Sequence, residues 1–508
     1  MKTLKKLTNL FISLFMVFAL TTTVFAGGDD TTGTSASDTG TTGNSLTINN
    51  TGNTAHTLEL YQIFTGDLSN GTLSNIKWGS GVTDAGKSAL GDAATKAGGI
   101  TDATTFANEV KQYLTNATTS TSVAAGSSYK FDNLAAGYYL VKDVDGSQKD
   151  TAGAYTSYIV QVVGSVTQNT KLDVPTVVKK VKDTNDSTGV TTDWQDSADY
   201  DIGDAVPYQI TGTLPSNIDK YTTYKYVFTD TMSKGLTYTA GKAKIKIGDT
   251  DVTSSFTETV TANTDGSTTV TWSCDNLKGI SGVTLTENSK VVVIYSCELN
   301  NNAVIGSAGN PNTVNLTFSN NPNQGGEGET GKTPDDKNIV FTYKVVVNKV
   351  DQDNKALAGA EFSISKVNAD NTSTVVKEFT LTGNVKTDAT TFTATGLDDG
   401  TYVLKETKTP AGYNTIADQY FTITAEHDAD SADPKLTKLS GNKLHGSAQT
   451  TITFTSIVSD GSLTTEVVNK KGSTLPSTGG IGTTIFYVAG CALVVLAGVM
   501  ITARRRAN

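Results

Sequence analysis

An amine, a carboxyl group and a carboxamide recur at matched strand positions near the C-terminal end of the chain. Lys349 lies in the run from Val345 to Asp351 and shares strand parity with Val345 and Val347; Glu406 shares it with Tyr402 and Leu404; Asn469 shares it with Val467. Successive side chains of a strand point to opposite faces, so all of these polar groups are expected to face one apolar core. Burial disfavours the charged form of a group, lowering the pKa of an amine and raising that of an acid. A neutral amine at position 349 can attack the side-chain amide carbon of Asn469. A protonated carboxyl group at position 406 can polarise the carbonyl and shuttle protons as ammonia leaves. The product would be an isopeptide bond between the first and last strands of the unit, with Glu406 as its catalyst.

The other stretch with chemistry in it is Leu475-Pro476-Ser477-Thr478-Gly479. Behind it come an uncharged apolar run from Ile481 to Ala503 and then Arg504, Arg505 and Arg506. About 20 apolar residues span a bilayer as a helix, and arginines directly after the span hold that end in the cytoplasm. The first 26 residues have the build of a secretory signal peptide: Lys2, Lys5 and Lys6, an apolar stretch from Leu10 to Leu20, and small-residue cleavage chemistry at Val24-Phe25-Ala26. Nearly all of the mature chain is therefore expected outside the membrane. In this setting the pentapeptide resembles the LPxTG sorting signal of Gram-positive surface proteins, which sortase cuts between Thr478 and Gly479.

Length, charge and cysteine usage bound the rest. A chain of 508 residues holds about three or four domains. The signal peptide and the segment after Thr478 each carry three basic and no acidic groups, which leaves 34 basic against 50 acidic and a net charge of −16. That balance argues against nucleic acid or an anionic membrane as partner. Cys491 falls in the apolar span, while Cys274 and Cys297 lie at the ends of two strand patterns. Antiparallel neighbours would point those thiols to opposite ends, so a disulfide is open but not favoured. An exported chain with so little disulfide stapling needs another source of mechanical strength. His56, His427 and His445 are scattered without zinc-ligand spacing, and no nucleophile motif is present. No metal and no cofactor is expected.

These groups must be positioned by strands. Residues 27–44 read as a disordered leader. From 45 to 171, alternating strands at His56 to Phe64, Tyr138 to Lys142 and Tyr158 to Val163 accompany a stretch from Asp102 to Asn116. There Phe106, Val110, Tyr113 and Leu114 recur at helical spacing, so this unit is read as a sandwich with one inserted helix. Residues 172–322 carry short strands separated by Gly, Asn and Asp turns, the rhythm of an antiparallel sandwich. Residues 323–338 read as a Gly/Glu/Pro-rich linker, 339–470 as a third sandwich, and 471–508 as sorting signal, transmembrane helix and basic tail. The class is all-β, with tandem immunoglobulin-like β-sandwich domains.

The third unit resembles the B-type repeat domain of collagen-adhesin-like proteins, through the L-x-G-A-x-F stretch from Leu357 to Phe362 and the Y-x-L-x-E-T-x-x-P-x-G-Y stretch from Tyr402 to Tyr413. The resemblance implies Lys349 and Asn469 as a bonded pair with Glu406 as catalyst. The second unit resembles the A-type isopeptide domain of major pilins, through Pro175 to Asp183, Tyr226 to Thr231 and Asn312 to Pro322. Parity then selects among its polar residues. Lys179 shares the face of Val177 and Val181, Asp230 that of Tyr226 and Phe228, and Asn312 that of Val314, Leu316 and Phe318. Asn320 has the same parity but lies nearer the turn, so Lys179–Asn312 with Asp230 is preferred and Asn320 stays open. No lysine and asparagine complete the Tyr138 to Asp143 stretch of the first unit, and no bond is expected there.

The chain as a whole resembles the major (backbone) subunits of sortase-assembled Gram-positive pili. Such subunits carry a linking lysine where the first two units meet. Lys171 stands at this place, in Gln168-Asn-Thr-Lys171-Leu-Asp-Val-Pro175, without the usual Tyr-Pro before it. The resemblance implies that a pilus-specific sortase cuts after Thr478, holds its carbonyl as a thioester, and delivers it to Lys171 of another copy of the chain. Minor pilins would accompany the polymer, which passes to peptidoglycan at the cell surface. The protein would be a substrate with no turnover of its own. The alternative is a single-copy wall-anchored adhesin binding a host surface ligand, but neither a D-x-S-x-S metal motif nor a large extra domain supports it. A wall-anchored hydrolase fits least, for want of a catalytic constellation.

Overall fold

The computed structural model describes residues 43–170, 174–322, 328–445 and 452–472. The signal peptide, the leader up to residue 42, Lys171, Leu475, Pro476, Ser477, Thr478, Gly479 and the apolar span with its basic tail lie outside the described residues. Three two-sheet sandwiches follow one another along the chain. In the first, Asn44–Asn49 sits between Ser128–Leu134 and Ser165–Asn169 in a small sheet. The second sheet is centred on His56–Ser69 and Gly137–Asp143. Leu46, Ile48, Leu58, Leu60, Val141 and Val162 fill the space between them, each fully buried on the inward parity of its strand.

Where one helix was expected in this unit, there are three short ones. Asp84–Leu90, Ala93–Gly98 and Ala103–Val110 are α-helices, and the last continues as the 3-10 turn Lys111–Tyr113. Asp102 caps the third of these helices: its carboxylate accepts the backbone N–H groups of Thr104 and Thr105. The first two helices are seven and six residues long. That is too short for a 3.6-residue apolar pattern to show, and they are held by the capping side chains of Thr83 and Asp92 and by packing.

In the second domain, Val177–Val181, Ala205–Thr213 and Lys290–Leu299 are neighbours in one sheet. They face Tyr226–Met232, Thr268–Cys274 and Asn310–Ser319 in the other. The described part of the expected 323–338 linker is not a linker. Thr330–Lys332 and Asp336–Phe341 are strands, and both pair with Asn310–Ser319. Asn338, Ile339, Val340 and Phe341 are buried in succession, a pattern without the alternation that marks a half-exposed strand. In the third domain the first and last strands, Tyr343–Asp351 and Ser462–Asn469, are parallel neighbours. Glu361–Val367 and Gly400–Lys408 lie in the facing sheet.

The domains are stacked end to end by hydrogen bonds. The Asn320 side chain donates to the carbonyls of Gln148 and Gly153, and Lys332 N–H donates to Thr151. Both contacts join the first domain to the Ser319 end of Asn310–Ser319. The Asn310 end of that strand lies towards the third domain, where Gly306 N–H donates to Thr342 and Ser307 N–H to Ser459. Ser462 therefore begins the last strand at this junction, and the strand runs away from it over 8 residues, roughly 25 Å at a strand's rise per residue. The described chain ends at Gly472, beyond the end of this strand remote from the second domain.

Candidate isopeptide sites

Among the described residues three lysines are buried, Lys179, Lys349 and Lys366. Lysine is almost never fully buried unless paired, so each marks a place where the fold has a use for an amine.

Lys349 is delivered to the core of the third domain by the register of the parallel pair, in which Lys349 lies opposite Val467 and Asp351 opposite Asn469. Lys349 and Asn469 thus share the inward face as diagonal neighbours, both fully buried. The ammonium nitrogen donates to the carbonyls of Val350 at 2.8 Å and Val467 at 3.1 Å. Burial, against the opposing charges of Glu406 and Asp351, pushes this amine down to about 8. Asn469 Nδ2 donates to Glu406 Oε2 at 3.0 Å and to the Asn414 carbonyl at 2.9 Å. Glu406 Oε2 is further held by Thr409 Oγ1 and by the N–H of Ile416. The buried Oδ1 of Asn469 and Oε1 of Glu406 have no hydrogen-bond partner, a costly state for buried polar atoms. The carboxamide nitrogen, not its oxygen, faces the acid. This geometry suits proton delivery to the departing nitrogen rather than the carbonyl polarisation expected from the sequence.

The second domain arranges the same groups across its core. Lys179 lies opposite Ile210 in one sheet; Asp230 lies opposite Val314, and Asn312 opposite Met232, in the other. All are fully buried. Lys179 Nζ donates to Asp230 Oδ1 at 2.7 Å and sits 4.9 and 5.0 Å from the ring centres of Tyr208 and Tyr295. Burial lowers the pKa of this amine, against the opposing charge of Asp230. The Tyr295 hydroxyl accepts from Lys179 Nζ and, at 3.0 Å, from Asn312 Nδ2, and it donates to Asp230 Oδ2. The Oδ1 atom of Asn312 has no partner. Asn320, the alternative left open, is occupied at the first-domain junction. Asn338 donates to the backbone carbonyls of Lys179 and Asp196, not to an amine partner.

Two contributors escaped the sequence reading. Tyr295 follows Val291 and Val293 on an inward parity, where a tyrosine is ordinary core, so nothing in one sequence sets it apart. Asp336, whose carboxylate accepts the Lys179 N–H at 2.6 Å, lies in the stretch read as linker. The thiols of Cys274 and Cys297 are both buried and free.

Lys366 is the counterexample. Its Nζ contacts Asp398 at 2.6 Å, Asp201 at 2.7 Å and Asp186 at 3.2 Å. Burial alone would lower this amine, but Asp398 and Asp201 outweigh it and hold the ammonium well above its ordinary value. A permanently charged amine is no nucleophile. Lys366 is an ionic clasp between domains, whereas Lys179 and Lys349 are shifted towards their reactive form.

Comparison with known proteins bears on both ends of the molecule. Residues 202–322 match the model described as Gram-positive pilin backbone subunit 2, Cna-B-like domain, where the sequence reading had an A-type unit. Residues 343–440 match the SpaA prealbumin-like fold domain, and residues 467–508 match the LPXTG cell wall anchor motif. The chain is 26% identical over 402 residues to the trypsin-resistant surface T6 protein of Streptococcus pyogenes serotype M6, covering 66% of this chain and 70% of that protein. The solved T6 backbone pilin of S. pyogenes serotype M6, a modular three-domain structure, is similar with a TM-score of 0.52 at 18% identity. It covers 84% of this chain and 98% of its own. The major pilin SpaD of Corynebacterium diphtheriae covers 85% of this chain and 98% of its own at a TM-score of 0.47 and 20% identity.

Proposed function

We propose that the chain is a sortase-polymerised, wall-anchored backbone pilin of a Gram-positive bacterium and that it locks itself with two internal isopeptide bonds, Lys179–Asn312 and Lys349–Asn469, before Thr478 is joined to Lys171 of the next copy. One observation carries the internal bonds. In each of two sandwiches a fully buried lysine with a lowered pKa shares a sealed core with a carboxyl group and with an asparagine whose carbonyl oxygen has no partner. A pilus-specific sortase, further copies of the chain, minor pilins and peptidoglycan are its partners in this reading. It has no turnover of its own.

The chemistry is an amide exchange. The neutral Lys179 Nζ attacks Cγ of Asn312, the new C–N bond forms, the bond to Nδ2 breaks, and ammonia leaves. The proton released by the amine must reach Nδ2. Tyr295 touches both nitrogens and Asp230, so Asp230 and the hydroxyl form a continuous relay between nucleophile and leaving group. In the third domain Glu406 is the acid–base group that reaches the departing nitrogen. Positioned acid–base groups contribute about 10²–10⁴-fold to a rate. Tyr295→Phe is expected to slow bond formation in the second domain by about that factor and to leave the third-domain bond untouched, as followed by the mass of chains freshly made by cell-free translation. Equal rates in the two proteins would remove Tyr295 from the mechanism.

Assembly is tested in wall extracts. Wild-type chains are expected to run as a detergent-resistant ladder, and a single band would speak for a lone adhesin. Replacing Leu475 and Pro476 by alanine is expected to abolish the ladder and leave the chain in membrane or medium. Covalent wall attachment of that variant would refute the role given to the pentapeptide.

A further inference from the structure

The junction of the second and third domains gathers two clusters of carboxylates. In one, Asp186, Asp201 and Asp398 surround the ammonium group of Lys366. The other has no such lysine. Asp183 and Asp199 come from the second domain and His427 ends the strand Gln419–His427 of the third. One ligand atom from each lies within 4.8 Å of the others.

The hydrogen bonding around His427 decides what this second cluster lacks. Ser197 Oγ donates its proton to the Asp428 carbonyl at 2.6 Å and lies 2.7 Å from His427 Nδ1. The hydroxyl proton is thereby committed, so Nδ1 carries hydrogen and donates to Ser197. In the neutral ring Nε2 then presents a lone pair, and it presents it to Asp183 Oδ2 at 3.5 Å and Asp199 Oδ1 at 4.0 Å. With both acids ionised, the three groups would present only acceptors to one another, a state that burial and the neighbouring Asp183 charge oppose by raising the pKa of the Asp199 carboxyl. Asp199 is 2% exposed, and its second oxygen has no hydrogen-bond partner. The wholly buried hydroxyl of Tyr343 lies beside it, also without a hydrogen bond of good geometry.

We propose that Asp183, Asp199 and His427 bind a divalent transition-metal cation of the zinc class, which staples the second domain to the third. An ion about 2.1 Å from each of two tetrahedral ligands holds those ligands about 3.4 Å apart, close to the spacing of Nε2 and Asp183 Oδ2. One imidazole with two carboxylates suits zinc better than calcium or magnesium, which take oxygen ligands. Ser197 is the orienting group behind the histidine, a role that metal-bound imidazoles ordinarily require of a neighbour.

The test uses the full chain in detergent, stripped with a chelator and dialysed against Zn²⁺ alone or Ca²⁺ alone. Wild type is expected to retain one Zn²⁺ per chain and no Ca²⁺, and to unfold at a higher temperature with Zn²⁺ than without. Co²⁺ in its place should give the visible absorption bands of a low-coordinate nitrogen–oxygen site. His427→Gln should lose the stoichiometric ion, and Ser197→Ala should bind about 10–100-fold more weakly. Asp183→Asn, at a partly exposed position, provides a second ligand variant should His427→Gln misfold. Failure of wild type to bind Zn²⁺, or equal binding by wild type, His427→Gln and Asp183→Asn, would overturn the proposal and leave His427 as a simple proton carrier between two acids.

Discussion

Glu406→Ala is expected to abolish the third-domain bond, so that the mass deficit of about 17 Da for one lost ammonia disappears from that domain alone. The second-domain bond has its own acid and should persist. The variant's third domain then holds Lys349 in its core without a cross-link and without the carboxyl group that most opposes its neutralisation. The amine of the unfolded chain titrates near its ordinary 10.5, whereas burial has already brought the folded one to about 8 with Glu406 present. Between these values the unfolded chain binds more protons, so the variant's stability rises as pH climbs from about 8 towards 10.5 and is lowest below 8. A gap of that size corresponds to on the order of 3 kcal/mol, in line with the cost of burying an unpaired charge. Thermal unfolding of the variant across this pH range checks the sign. A stability that falls as pH rises would show that Lys349 is not buried as described.

Lys171→Ala is expected to abolish the ladder while leaving folding and both internal bonds intact. The last described residue, Gly472, lies beyond the end of the third domain that points away from the second, and the donor Thr478 comes later in the sequence, so an in-line polymer needs its acceptor on the far side of the third domain, towards the first. Lys171 falls between Ser165–Asn169 and Val177–Val181, where the first domain meets the second, and connectors are more accessible to an enzyme than paired strands. Its rivals are engaged. Lys180 Nζ lies 2.6 Å from Asp196, Lys182 stands over the Trp194 ring at 5.2 Å, and Lys179 is sealed in the core. A ladder that survives in Lys171→Ala but disappears in Lys180→Ala or Lys182→Ala would move the acceptor to those strand residues.

Much of the site was legible because strand parity is a strict rule. Alternation puts Lys179, Asp230, Asn312, Lys349, Glu406 and Asn469 on inward faces, and all are buried. Parity cannot say which inward groups meet. Asn312 and Asn320 share a face, and only the stacking of the first domain onto the second sends Asn320 to Gln148 and Gly153. Nor does it read a strand buried on successive residues, so Asn338 to Phe341 passed for linker, taking with it the Asp336 contact that fixes the Lys179 backbone. The two short helices before Asp102 are stabilised by caps and tertiary packing rather than by their own periodicity. The interdomain clusters around Lys366 and His427 were invisible for a related reason. Their members are separated by up to 244 residues, from Asp183 to His427, and no local pattern links them.

The intact mass of the mature wild-type chain tests the internal cross-links most directly. Two amide exchanges remove two molecules of ammonia, so the chain is expected to weigh about 34 Da less than its sequence requires. Fragments joining Lys179 to Asn312 and Lys349 to Asn469 should account for the whole deficit. A mass equal to that of the unmodified sequence would contradict both bonds at once.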